Sequence, residues 1–161
     1  MPKPSYHLSL SLGKRLVHHG LVVTTAESCT AGSVACAITD IQGSSEWFNA
    51  GFITYSNAMK QRLLGVSSDL LRSHGAVSQE VAKAMVEGAL RQSQSDIGVA
   101  ITGIAGPGGG SEDKPVGTVC FAVGSSTSIE SSAFLFEGDR HEVREKSTIK
   151  ALELLLGFTS K

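Results

Sequence analysis

The feature that most constrains the fold is an alternation of short β-branched apolar runs with segments of helical periodicity. Residues 8–18 place apolar side chains at helical spacing, which predicts a helix that ends near Gly20. Residues 21–25 form a short apolar, β-branched run that is typical of a buried strand. A helical pattern over residues 29–39 and a strand pattern over residues 47–55 repeat this order. The alternation predicts an α/β fold.

Three further helices and a strand are predicted in the middle of the chain. Residues 57–64 carry apolar side chains at helical spacing. Ser67 and Ser78 are each placed to accept a hydrogen bond from the first turn of a following helix. The apolar run over residues 97–102 predicts another buried strand.

Two consecutive strands distinguish the last part of the chain. The apolar runs at residues 116–123 and 129–136 are joined by a short polar link, which predicts an antiparallel hairpin. The last predicted helix spans residues 139–158, and Asp139 and Glu142 have the spacing of a capping box. Together these elements predict a three-layer α/β/α sandwich with a mixed sheet.

Composition and charge disfavour several classes of partner. The length suits a single domain over residues 1–161. With 14 basic and 15 acidic residues the net charge is −1, which gives no electrostatic footprint for nucleic acid or an anionic membrane. No apolar run approaches the roughly 20 residues of a membrane helix, and the N-terminus lacks the apolar core of a signal peptide. We therefore expect a cytoplasmic protein.

Cysteine and histidine usage disfavours a metal site. The cysteines at positions 29, 36 and 120 form no C-x-x-C pair, and no two of the five histidines are four residues apart. An odd number of cysteines also fails to indicate a disulfide framework. We expect no metal ion.

A first candidate site lies in residues 26–32, between a predicted strand and a predicted helix. Backbone N–H groups at a helix start are unpaired, so they can bind a phosphate or a developing oxyanion beside Ser28. An N-cap serine is the alternative, and the spacing alone favours the cap. Cys29 is an alternative nucleophile, although such a cysteine is more often a small buried apolar residue.

A second candidate site lies in residues 54–60. A serine nucleophile needs a base, and Tyr55 and Lys60 are polar groups at the junction of a strand and a helix. Lysine acts as a base only when burial or a neighbouring cation lowers its pKa. A surface lysine beside a half-buried tyrosine is the alternative, and the residue types alone favour it. The Tyr-x-x-x-Lys dehydrogenase motif is excluded because Met59 occupies the lysine position.

Glycine-dense residues 102–111 form a third candidate site. Glycine allows close approach of the backbone to a ligand, and a long loop in a compact domain is usually functional, with a mobile surface loop as the alternative. The loop matches neither G-x-G-x-x-G nor the P-loop, since Lys114 is followed by proline. Arg140 and Arg144, one helical turn apart, could hold a phosphate, although solvated helix charges are slightly favoured.

Taken together, these stretches resemble the C-terminal domain of the competence-damage-inducible CinA proteins. The longer matching pieces are Ala-Glu-Ser-Cys-Thr at 26–30, Thr-Tyr-Ser-Asn at 54–57, His-Gly-Ala-Val-Ser at 74–78, Thr-Gly-Ile-Ala-Gly-Pro at 102–107 and Lys-Pro-Val-Gly-Thr-Val at 114–119. The shorter ones are Gly-Ser-Ser at 43–45, Leu-Gly-Val at 64–66 and Gly-Asp-Arg at 138–140. They run in order over most of the chain, which makes the series far more specific than any single piece.

The resemblance implies a serine amidohydrolase that converts nicotinamide mononucleotide to nicotinate mononucleotide and ammonia, and so recycles a pyridine nucleotide. It places the catalytic serine, tyrosine and lysine at Ser28, Tyr55 and Lys60, against the preferences drawn from spacing alone. It implies no metal and no cofactor, and it suggests a homo-oligomer. The substrate-binding residues that it implies are Glu27, Cys29, Thr30, Asn57, Thr102, Gly103, Ala105, Gly106 and Arg140.

Two alternatives and one departure accompany this resemblance. The chain could hydrolyse a related amide, or it could be a non-catalytic nucleotide-binding or regulatory module that kept the pocket. Many relatives have Gly-Gly after the threonine, where this chain has Ala31 and Gly32. We expect the methyl group of Ala31 to crowd the pocket if this residue must approach the substrate.

Overall fold

The computed structural model describes residues 1–161, which form one five-stranded sheet and six α-helices. The strands are β1 (Val23–Glu27), β2 (Phe48–Ile53), β3 (Ile97–Gly103), β4 (Thr118–Gly124) and β5 (Ile129–Leu135). The helices are α1 (Pro4–His19), α2 (Ser33–Thr39), α3 (Asn57–Leu64), α4 (Ser68–His74), α5 (Gln79–Ser93) and α6 (Arg140–Phe158), with a 3₁₀ turn at Ser44–Glu46. None of these helices has the length and apolar character needed to cross a membrane.

The sheet is mixed, with the strand order β2-β1-β3-β4-β5. β1 runs parallel to both neighbours, so that Glu27 pairs with Ile53 of β2 and with Ile101 of β3. β4 is antiparallel to β3 and to β5, which confirms the predicted hairpin. Because β1, β2 and β3 are parallel, the residues that follow each of them meet at the same edge of the sheet.

Helices cover both faces of this sheet. α1, α2 and α6 pack on one face, where Leu12, Leu152 and Phe121 belong to one buried apolar cluster. α3, α4 and α5 lie on the other face, where Met85 and Val86 belong to a second cluster. The predicted three-layer α/β/α sandwich with a mixed sheet is confirmed.

Most helix ends predicted from short sequence signals are confirmed. Gly20 closes α1 with a left-handed φ of 65°. The hydroxyl groups of Ser67 and Ser78 each accept a first-turn N–H, at 3.1 and 3.2 Å. Asp139 and Glu142 complete the capping box of α6. Such caps depend on only a few neighbouring residues, which is why the sequence reveals them.

Two predicted helix starts are wrong. α1 begins at Pro4 instead of residue 8, because proline is well suited to the first turn of a helix. α2 begins at Ser33 instead of near residue 29, because Ala31 and Gly32 have positive φ angles of 49° and 94°. Residues 28–32 form a turn, the β1–α2 turn. β1 itself lies two residues later in the chain than the predicted run at 21–25.

Candidate active site

A cleft lies at the edge of the sheet where the chain leaves β1, β2 and β3. It is bordered by the β1–α2 turn, the start of α3, the link between α4 and α5, and the start of α6. Ligands of open α/β sheets bind at such carboxyl edges. The residues that line the cleft are Ser28, Cys29, Tyr55, Asn57, Lys60, Ala76, Val77, Thr102, Gly103, Ala105 and Arg140.

The side chains of Ser28 and Lys60 meet in this cleft. Lys60 Nζ lies 3.1 Å from Ser28 Oγ, and the two residues are only 1% and 8% exposed. Ser28 is fixed to β3, because its N–H donates to the carbonyl of Ile101 at 2.9 Å. Lys60 projects from α3, which begins at the cap Ser56. Two separate elements therefore bring the predicted nucleophile and the predicted base into contact.

The amine of Lys60 has three oxygen partners. Besides Ser28 Oγ, Nζ contacts the carbonyl oxygens of Thr54 at 2.9 Å and Tyr55 at 3.2 Å. Burial lowers the pKa of Lys60 below its ordinary value of 10.5, and only an ionised Cys29 would oppose this effect. A neutral amine has two N–H groups and one lone pair, and the two carbonyls can only accept. In the neutral form of Lys60, the lone pair is therefore free to accept the hydroxyl proton of Ser28.

Tyr55 contributes two groups to the site. Its backbone carbonyl accepts from Lys60, whereas its phenol oxygen accepts from Arg140 Nη2 at 3.1 Å. The phenol forms no hydrogen bond with Ser28 or with Lys60, and the residue is 59% exposed. Arg140 Nη1 also donates to the carbonyl of Gly106 at 2.7 Å. Arg140 thus connects Tyr55 to the glycine-rich loop.

The β1–α2 turn leaves two backbone donors free directly after Ser28. The N–H of Ala31 donates to the carbonyl of Ser28 at 3.0 Å and closes the turn. The N–H groups of Cys29 and Thr30 donate no hydrogen bond within the chain. Free amides next to a serine can stabilise an oxyanion that forms on its acyl substrate.

The carboxylate of Glu27 accepts hydrogen bonds from the backbone N–H groups at the start of α2. This residue is 1% exposed, and its carboxylate accepts from the N–H groups of Gly32, Val34 and Ala35, at 3.2, 2.9 and 3.1 Å. The N–H groups at the observed start of α2 are therefore not free to bind a ligand. Glu27 therefore fastens the β1–α2 turn to α2, and the donors that remain are those of Cys29 and Thr30.

Cys29 lines the cleft as a neutral thiol. Burial raises the pKa of Cys29 to about 12. The thiolate, which is the reactive form, is therefore scarce at neutral pH. Of the two adjacent nucleophiles that the sequence offers, only Ser28 has a base within hydrogen-bond distance.

Side-chain to backbone bonds tie both ends of the glycine-rich loop to the end of α4 and to the link between α4 and α5. Thr102 Oγ1 donates to the carbonyl of Ala76 at 2.8 Å, and Lys114 Nζ donates to the carbonyl of His74 at 2.6 Å. Gly103 is required by close packing, since a Cβ there would lie 2.8 Å from the side chain of Val119. The glycine-rich loop is therefore anchored at both ends.

All of the predicted site residues line the cleft except Glu27, Thr30 and Gly106. The carboxylate of Glu27 binds backbone N–H groups, and the backbone carbonyl of Gly106 accepts from Arg140. The buried Thr30 hydroxyl has no hydrogen-bond partner. Ala31 is exposed and does not line the cleft, so its methyl group does not crowd it. No group of three or more His, Cys, Asp or Glu side chains is placed to hold a metal ion.

The sequence patterns did not reveal three contributions to the site. Thr54 acts through its carbonyl oxygen, which no sequence pattern reveals. Ala76 and Val77 line the cleft, and the match at residues 74–78 was the signal that could have found them. Arg144 is not a solvated helix charge, because it donates to the carbonyls of two residues in the β1–α2 turn.

Comparisons with known proteins agree on one family. The sequence model of the CinA C-terminal domain matches residues 5–159. A Pseudomonas putida protein named nicotinamide-nucleotide amidohydrolase PncC is 51% identical, and the match covers 95% of this chain and 96% of that protein. A competence-damage inducible protein of Symbiobacterium thermophilum is 46% identical over 94% of this chain, which spans only 38% of that longer protein.

A solved structure shows the same architecture. The crystal structure of the competence/damage inducible protein CihA from Agrobacterium tumefaciens superposes with a TM-score of 0.96. The two sequences are 39% identical, and the superposition covers 100% of this chain and 98% of that one. The strand order and helical layers described above are therefore those of a known fold.

Proposed function

This chain belongs to the CinA C-terminal domain family, and from that premise we propose that it hydrolyses the carboxamide of nicotinamide mononucleotide. The products are nicotinate mononucleotide and ammonia, so the reaction recycles a pyridine nucleotide. The observation that carries the proposal is the buried amine of Lys60, 3.1 Å from Ser28 Oγ. Amide hydrolysis by a serine requires a base at this position, and the name of the Pseudomonas putida relative supplies the substrate.

The first half of the reaction forms an acyl-enzyme. Neutral Lys60 takes the proton of Ser28 as Oγ attacks the carboxamide carbon. The carbonyl oxygen becomes an oxyanion, which accepts from the free N–H groups of Cys29 and Thr30. Protonated Lys60 then gives its proton to the departing nitrogen. The C–N bond breaks, ammonia leaves, and an ester links Ser28 to the nicotinoyl group.

The second half hydrolyses this ester. Lys60, again neutral, takes a proton from a water molecule that attacks the ester carbon. The same two N–H groups stabilise the second oxyanion. Lys60 then returns a proton to Ser28 Oγ as the ester bond breaks. The carbonyls of Thr54 and Tyr55 keep the amine directed at Ser28 throughout the cycle.

The remaining cleft residues bind the nucleotide. Arg140 meets the phosphate, and its bond to the phenol of Tyr55 sets the direction of the guanidinium group. Asn57 and Thr102 border the cleft beside Lys60 and supply polar groups for the ribose and the ring. The loop of residues 103–110 covers the substrate. The exposed apolar side chains of Ile53, Tyr55 and Leu63 around this site are compatible with a homo-oligomer, which light scattering would measure.

The deciding experiment is ammonia release from nicotinamide mononucleotide in the presence of a chelator. The parent chain, the Ser28→Ala variant and a control variant with an exposed loop serine changed, Ser126→Ala, are compared. We expect release by the parent and the control, and a loss of about a thousandfold or more in Ser28→Ala. Full activity in Ser28→Ala would exclude this nucleophile. No release from any folded form, together with nucleotide binding, would indicate a binding module.

A further inference from the structure

Arg144, in the second turn of α6, contacts the backbone next to Ser28. Its Nε donates to the carbonyl of Cys29 at 3.0 Å, and its Nη2 donates to the carbonyl of Thr30 at 3.3 Å. Arg144 is not among the residues that line the catalytic cleft, but it borders an adjoining depression that shares Ala105 and Arg140 with the cleft. The hydrogen bonds of its guanidinium therefore connect it to Ser28 through the β1–α2 turn.

The geometry of one peptide group links Arg144 to the reaction. The carbonyl of Cys29 and the N–H of Thr30 belong to the same planar peptide, which is trans, so they point in opposite directions. Because Arg144 fixes the carbonyl on the side of α6, the N–H of Thr30 is directed away from α6. This N–H is one of the two free donors that follow Ser28.

The guanidinium also changes the strength of this donor. A cation that binds a peptide carbonyl polarises the whole peptide group, so that its N–H becomes a stronger donor. The turn needs such external contacts, because Ala31 holds a left-handed φ of 49° that is unfavourable for a residue with a side chain. Glu27 restrains the α2 end of the turn, and Arg144 restrains its centre.

We propose that Arg144 is a positioning residue that sets the Cys29–Thr30 peptide so that the N–H of Thr30 stabilises the oxyanion formed at Ser28. Its role differs from that of Arg140, one helical turn earlier, which lines the cleft and meets the substrate. The proposal rests on the proposed amidohydrolase reaction for its kinetic test. Its second test, described below, does not.

The kinetic test compares Arg144→Met and Arg144→Lys with the parent. Lys146→Met is the matched control, since it removes an exposed cation from the same helix. We expect Arg144→Met to lower kcat for nicotinamide mononucleotide roughly 10- to 100-fold while KM changes less than about threefold. Arg144→Lys retains the charge without the two-pronged contact, so its kcat should lie in between. A third variant, Arg144→Ala, leaves space for a free guanidinium ion, and added guanidinium should restore part of its kcat.

The second test follows the reaction of Ser28 with a fluorophosphonate. Ser28 Oγ displaces fluoride from phosphorus, so a P–O bond replaces the P–F bond and the proton goes to Lys60. The phosphoryl oxygen occupies the place of the oxyanion, which makes the labelling rate a measure of the free donors. We expect Arg144→Met to be labelled at least about tenfold more slowly than the parent.

These outcomes separate the two proposals. If the parent is labelled at Ser28 but releases no ammonia, the proposed substrate fails and the labelling rates still decide the role of Arg144. Unchanged kcat and labelling in a folded Arg144→Met variant would overturn that role, and so would a rise in KM alone. If Arg144→Met does not fold, the kcat and labelling rate of Arg144→Lys decide, and values equal to those of the parent overturn the proposal.

Discussion

Lys60 Nζ and Ser28 Oγ lie 3.1 Å apart, although 32 residues separate them in the chain. The contact exists because β1 and β2 are parallel neighbours and therefore end at the same edge of the sheet. Ser28 directly follows β1, and α3 begins shortly after β2. The pairing of two strands thus determines the distance between nucleophile and base.

The buried state of Lys60 predicts the pH dependence of the reaction. Because burial lowers its pKa, the neutral form increases as pH rises through a value below 10.5. We expect kcat/KM to rise with pH in proportion to the neutral fraction of Lys60 and then to level off. Lys60→Met should lose at least about a hundredfold in kcat and should lack this ascending limb. An unchanged profile in Lys60→Met would show that another group is the base.

Arg140 should control substrate affinity more than turnover. Its exposed guanidinium reaches the cleft and is oriented by Tyr55 and Gly106. We expect Arg140→Met to raise KM for nicotinamide mononucleotide about tenfold, with a smaller change in kcat. The riboside, which lacks the phosphate, serves as the matched substrate. An equal loss of kcat/KM with the riboside would contradict a phosphate contact.

Local signals in the sequence predicted much of the fold. The caps at Ser67, Ser78 and Asp139 are each a hydrogen bond within four residues, and the apolar runs record which segments are buried on both sides. Once strands, helices and hairpin are placed, few arrangements bury all of their apolar faces. The layer order followed from this constraint.

The interactions that shape the site could not be predicted in the same way. Lysine is usually exposed, and only the packing of α3 against the sheet buries Lys60. The carboxylate of Glu27 and the guanidinium of Arg144 both bind backbone groups of the β1–α2 turn. Such contacts leave no residue pattern, because every residue type supplies the same backbone N–H and carbonyl.

Glu27 should stabilise the fold through the hydrogen bonds that its carboxylate accepts from three backbone N–H groups. In Glu27→Gln one oxygen remains, and the new NH₂ group cannot accept from the third N–H. We expect the free energy of unfolding to fall by about 1–3 kcal/mol, measured by urea titration. Exposed Glu87 of α5 provides the control Glu87→Gln, which should stay within about 0.5 kcal/mol of the parent. Equal stability of both variants would contradict this role of Glu27.

The three cysteines should differ in reactivity towards iodoacetamide. Cys36 is exposed, whereas Cys29 and Cys120 are buried and burial raises the pKa of both thiols. Mass spectrometry of the folded protein at neutral pH should therefore find modification at Cys36 alone. Cys29→Ser should keep ammonia release within about tenfold of the parent. If Cys29→Ser were inactive while Ser28→Ala retained activity, the thiol would be the nucleophile.

Replacing Ala31 with glycine should stabilise the chain without changing its activity. Ala31 has φ 49°, and the left-handed region costs a residue with a Cβ roughly 1 kcal/mol or more, part of which the added flexibility of unfolded glycine offsets. We expect Ala31→Gly to raise the free energy of unfolding by about 0.5–1 kcal/mol, with kcat and KM unchanged. Gln94→Gly is the matched control, because Gln94 is the other non-glycine residue with positive φ and lies at the end of α5. Both variants should therefore gain similar stability, and a change in KM in Ala31→Gly alone would show that residue 31 approaches the substrate.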